Sequence, residues 1–265
     1  MMTAIQKILS GSTLAILIAT TCAVAGDDQK SAEAQAVANT AIAQLAGWQT
    51  QAARKTLQPK KEKFGATPQF KTAWALLEIQ ETAVGGKSSS ASATTTLGQM
   101  AKNQEIDAVA QYWEGELAYQ QSDNKGANAA WQSAAKSAAK MVAADSTDAT
   151  AQFYLGASLV RQKKYEPALK ALRLAVRGGF DEAMVNQQIG FIYLFQQKWK
   201  DAKDAFDVGL SVNPRFAPMY YWRAMAWDKL GRKDNLMIDL DQYLKLAPKG
   251  PEAGRAQAIL KSSGG

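Results

Sequence analysis

Residues 149–182 read ATAQFYLGASLVRQKKYEPALKALRLAVRGGFDE, residues 183–216 AMVNQQIGFIYLFQQKWKDAKDAFDVGLSVNPRF, and residues 217–250 APMYYWRAMAWDKLGRKDNLMIDLDQYLKLAPKG. Set under one another, the three lines align without a gap at a period of 34 residues. Position eight is Gly156, Gly190 and Ala224; position twenty is Ala168, Ala202 and Leu236. Position eleven is Leu159, Tyr193 and Trp227; position twenty-four is Leu172, Phe206 and Leu240. Small residues let two antiparallel helices approach closely, and large ones fill the space beside that approach. A unit of this length cannot bury its own apolar face and must stack on copies of itself. The prolines agree with the frame. Pro214 and Pro248 stop second helices, while Pro167 and Pro218 fall in first turns, where a missing N–H costs little.

On these residues the chain resembles the tetratricopeptide repeat, a helix–turn–helix of 34 residues with small side chains at positions eight and twenty. The resemblance covers Ala149 to Gly250. It implies an all-α, right-handed helical solenoid of such repeats with a C-terminal capping helix. The third copy departs from the pattern. Lys233 stands where Tyr165 and Trp199 supply an aromatic, and Leu236 replaces the small residue, so its second helix is expected to sit further out.

A fourth copy is legible upstream. Starting it at Ala108 puts Gly115, Ala118, Ala127 and Trp131 at positions eight, eleven, twenty and twenty-four. The next copy starts seven residues late, about two helical turns, which predicts a lengthened second helix ending near Asp145. The expected division is a signal peptide (1–25), degenerate helical repeats (26–107), a divergent repeat (108–148), three regular repeats (149–182, 183–216, 217–250), and a capping helix with a frayed tail (251–265). In the cap, Ala253, Ala256, Ile259 and Leu260 would cover the apolar edge of the last repeat, as a soluble solenoid requires. Gly85-Gly86-Lys87-Ser88 lacks the first glycine of a phosphate loop and reads as a turn between helices.

The first 25 residues carry Lys7, an apolar run from Leu14 to Thr20, and the small-residue site Ala23-Val24-Ala25. That is the pattern of a secretory leader cleaved after Ala25, and it predicts a periplasmic or secreted protein with no membrane span after processing. Cys22, the sole cysteine, follows Ala19-Thr20-Thr21, a poor match to a lipidation signal, so a lipoprotein is the alternative rather than the expectation.

Composition excludes most chemistry. The chain has no histidine, and loss of Cys22 would leave no thiol, which removes Ser-His-Asp and Cys-His nucleophiles and the usual zinc sites. Carboxylate pairs such as Asp204 and Asp207 read as solvated charge on a second helix. Met184, Met219, Met225 and Met237 form no ligand cluster. No catalytic residue, metal or cofactor is expected. The net charge of +7 comes from lysines scattered along the chain, so nucleic acid is not an expected partner.

What remains is binding. In repeats of the resembled kind the first helices line a concave groove through positions five, nine, twelve and thirteen. Carried over, these are Phe153, Ala157, Val160 and Arg161, then Gln187, Phe191, Leu194 and Phe195, then Tyr221, Met225, Asp228 and Lys229; the Ala108 copy adds Tyr112, Glu116 and Tyr119. So aromatic a row suits an apolar protein or peptide segment. The competing expectations are self-assembly, with a closed dimer compatible with the cap, and solute or glycan binding in the same groove. Position six reads Tyr154, Gln188 and Trp222, so the asparagine clamp that grips C-terminal carboxylates in some relatives of this kind is absent.

Overall fold

The computed structural model describes residues 29–38, 40–42, 44–45, 49–86, 92–93, 95–96, 108–120 and 122–263, and among them every regular element is a helix. The leader-like segment and Cys22 lie outside the described residues, as do 87–91, 94 and 97–107 of the degenerate repeats expected at 26–107. Helical residues between 29 and 45 form α1, followed by α2 (Thr50–Leu57), α3 (Lys61–Phe64) and α4 (Pro68–Ala83). Then come α5 (Ala108–Gln120), α6 (Asn124–Ala144), α7 (Ala149–Arg161), α8 (Tyr165–Arg177) and α9 (Glu182–Phe195). The chain continues through α10 (Trp199–Val212), α11 (Ala217–Lys229), α12 (Lys233–Leu246) and α13 (Ala253–Ser263). From α5 onward each helix packs on the next, giving an all-α solenoid of tetratricopeptide-like helix pairs.

The packing explains the period. A Cβ on Gly156 would lie 2.7 Å from Leu172, and one on Gly115 would lie 2.5 Å from Trp131. A Cβ on Gly190 would overlap the Phe206 ring. Position eight therefore presses on position twenty-four in each of these copies. The last copy pairs Ala224 with Leu240, both fully buried. Leu236 is buried in the same cluster beside Tyr243 and Ala256 of α13. The heptad inserted after Ala108 goes into α6, which has 21 residues against 14 in α10.

Helix boundaries follow local chemistry. Asp123, Asp148 and Asp181 cap α6, α7 and α9, each side chain accepting from a backbone N–H three residues on. First helices end on a left-handed residue at position fifteen of every copy: Ser122, Lys163, Gln197 and Gly231, with φ of 63°, 60°, 58° and 72°. The next residue's N–H then reaches back five residues, as in Lys164 to Leu159 O at 2.9 Å.

The residues before Ala108 build a cluster of their own, with Leu57, Phe64, Phe70 and Leu77 fully enclosed. This N-terminal body also reaches the far end of the solenoid. Gly85, at φ +89°, sits against Pro248, and the Lys249 N–H donates to Ala83 O at 3.1 Å. The chain thereby closes on itself, and the concave side of the first helices faces α1 and α4 across a chamber of about 200 Å3.

Candidate functional site

The first helices run side by side, and the structure divides the expected groove residues into interior and open ones without respecting position: at position twelve Val160 is buried while Tyr119 and Asp228 are exposed. Phe153, Val160 and Tyr221 are interior. Phe153 is fully buried, stacked on Phe180 at 4.2 Å; Val160 is enclosed; and Tyr221 leans on Tyr243 at 5.5 Å between ring centres. These three serve the core. Tyr112, Gln187 and Phe191 are also buried but line the chamber. Their neighbours account for this: Phe153 packs on Phe180 and Tyr221 on Tyr243, and α4 stands across the chamber from Tyr112, Gln187 and Phe191.

Apart from Val160, the expected residues at the C-terminal ends of the first helices remain open or half-open. Tyr119 is 52% exposed and Phe195 47%, with Asp228 and Lys229 also exposed and Glu116, Arg161, Leu194 and Met225 half-buried. Arg161 ties this edge together. Its Nε donates to Glu116 Oε1 at 2.7 Å and its Nη2 to Glu116 Oε2 at 2.5 Å, a two-pronged pair of low exposure. Its guanidinium carbon lies 5.2 Å from the Trp131 ring centre, 5.1 Å from Phe191 and 6.0 Å from Tyr119. Tyr119 meets Trp131 at 5.8 Å and Phe191 meets Phe195 at 6.4 Å. The result is an aromatic ledge spanning α5 to α9, pinned at its centre by one cation.

The electrostatics hold that cation in place. Burial works against the charge on Arg161, but Glu116 and Tyr112 outweigh it and leave its pKa raised. Burial, aided by the Glu116 charge, pushes the Tyr112 phenol well above its ordinary value. Both groups stay in their usual protonation states at neutral pH. Among the described residues no cluster of histidine, cysteine or carboxylate side chains could hold a metal ion. No helix among them is long and apolar enough to cross a membrane.

The residues of position six, read from sequence only as a missing clamp, turn out to matter. Tyr154, Gln188 and Trp222 all line the chamber, as do Met184 and Pro218 at position two. The signal was present in the frame, since a position filled by rings and a carboxamide in every regular copy marks an inward row. The opposite wall, from Ile42, Leu45, Leu76, Ile79 and Gln80, had no frame to find it.

No family model and no curated protein matches the chain by sequence. Solved structures share its helical-repeat architecture. The thermophilic tetratricopeptide-repeat protein TTC0263 of Thermus thermophilus is similar at 20% identity, with a TM-score of 0.49, over 73% of this chain and 98% of that one. MamA from Desulfovibrio magneticus RS-1 is similar at 17% identity, with a TM-score of 0.40, over 66% and 94%. The Cut9–Hcn1 hetero-tetramer of the APC/C gives 17% identity and a TM-score of 0.45, over 86% of this chain and 42% of that one. They are likenesses of shape, and no residue role is carried over from them.

Proposed function

We propose that this chain is a non-catalytic adaptor that holds a segment of another protein on the ledge running from Tyr119 through Arg161 to Phe195. One observation carries the reading: two large rings stand half-exposed on either side of an arginine already fixed by Glu116. Aromatic and arginine side chains dominate binding hot spots, and here the arginine is already held by Glu116 before any partner arrives, so its ordering does not oppose association. An apolar or amphipathic segment suits the ledge, with Asp228 and Lys229 supplying a charged rim at its far end. The support for an exported adaptor is the leader pattern of residues 1–25.

The test is a photo-reactive phenylalanine analogue placed at Tyr119 or at Phe195 in living cells, with Glu166 on a second helix as control. Both ledge positions should give the same discrete crosslinked band, absent from the control. A band equally strong from Glu166, or none from either ledge position, would remove the ledge as the docking site. Fractionation of the same cells tests the location; full-length chain confined to the cytoplasm counts against export.

A further inference from the structure

The chamber behind the ledge has a chemistry the adaptor role does not use. Its walls carry the rings of Tyr112, Tyr154, Phe191 and Trp222, and its other side is largely aliphatic. At about 200 Å3 it exceeds the ~150 Å3 apolar cavity that admits benzene. Among the described residues, the charged side chains lining it are Glu116, Arg161 and Glu252. The first two neutralise each other, which leaves Glu252 as the net charge of the chamber.

Two acceptors there are unspent. Glu252 is half-buried at the start of the final turn before α13 and makes no ion pair among the described residues. Burial raises its carboxyl pKa, and the nearby Arg255 charge pulls the other way without pairing with it. Gln188 is 2% exposed, and no donor among the described residues reaches its Oε1. A buried carbonyl without a donor is costly, and a ligand N–H would relieve that cost. Gln80, across the chamber, is by contrast fully used: it accepts from Thr50 Oγ1 at 2.8 Å and donates to Leu45 O at 2.7 Å.

We infer that the chamber is a binding site for a small organic ammonium ion with a flat apolar body, Glu252 and Gln188 being the open acceptors its lining offers and the aromatic walls facing its charge. Rings favour a cation through their negative faces, and the unbalanced carboxylate favours it again, while an anion of the same shape meets both unfavourably. The chamber shares Glu116, Tyr119, Arg161 and Phe191 with the ledge, but purified chain without any protein partner tests it separately from the adaptor role.

The experiment uses three molecules of one shape: phenethylamine, ethylbenzene and phenylacetate, titrated calorimetrically into the full chain at neutral pH. Phenethylamine should bind at least tenfold more tightly than ethylbenzene, the difference expected when a buried polar group loses its partner, and phenylacetate should not bind. Glu252→Gln and Gln188→Met should each reduce the amine's advantage while leaving ethylbenzene binding in place. Equal affinity for amine and hydrocarbon, preference for the anion, or no binding of any of the three to the unaltered chain would overturn the inference, and none of those outcomes depends on a variant folding.

Discussion

Position fifteen offers a test of the repeat frame that needs no partner. Ser122, Lys163 and Gln197 occupy the left-handed region where the regular last copy has Gly231. An L side chain there costs about 1–2 kcal/mol through the clash of its Cβ with the following carbonyl. Glycine removes that cost but gives back about 0.4–1 kcal/mol through the greater freedom of the unfolded chain. Lys163→Gly and Gln197→Gly should therefore each stabilise by about 0.5–1 kcal/mol. Both side chains are exposed, so little packing is lost. The two sites belong to different copies, and the double variant should gain the sum. For a protein of this size that is a rise of roughly 2–4 °C in midpoint per kcal/mol. Lys170→Gly is the control: that exposed residue lies in the interior of α8, where glycine should lower stability by about 0.5–1 kcal/mol. Gly231→Ala should cost about 1 kcal/mol by the converse strain. The assay is urea unfolding followed by far-ultraviolet circular dichroism. If Lys163→Gly and Gln197→Gly destabilise as Lys170→Gly does, the shared helix-ending device is not what closes these repeats.

Two further outcomes follow from the packing and the titrations. Gly190→Ala should destabilise by about 1–3 kcal/mol, because the new Cβ meets the Phe206 ring. Adding Phe206→Leu recreates the Ala224–Leu240 pairing and should restore most of the loss, while a double variant no better than the single would contradict the position-eight contact. At alkaline pH, burial raises the Tyr243 phenol from about 10 to about 12. The stability linked to it is intact below pH 10 and lost as pH rises toward 12, because only the unfolded chain ionises freely in that interval. Absorbance at about 295 nm should show tyrosines ionising together with the loss of circular dichroism, and complete ionisation near pH 10 with helicity intact would oppose this.

How far the sequence could be read depended on whether a residue belonged to the repeat. The contacts of Gly156 with Leu172 and Gly190 with Phe206 are local, lying 16 residues apart within one helix pair, so spacing alone announces them. Exposure is not local. Phe191 and Phe195 are four apart on one helix face, yet one is 4% and the other 47% exposed. What divides them is what surrounds each ring: Phe191 sits among Phe206, Trp222 and Arg161, whereas Phe195 is the last residue of α9 and meets Phe191 alone among the rings of the described residues. The chamber is less local still. Its far wall comes from α1 and α4, whose side chains follow no frame, and it is closed by a backbone bond between Lys249 and Ala83. That bond uses atoms every residue but proline possesses and leaves no mark in composition or period. A repeat advertises its own stacking because identical neighbours demand identical side chains. The place where a repeat array meets something that is not a copy of itself imposes no such demand, and in this chain that junction is where the chamber forms.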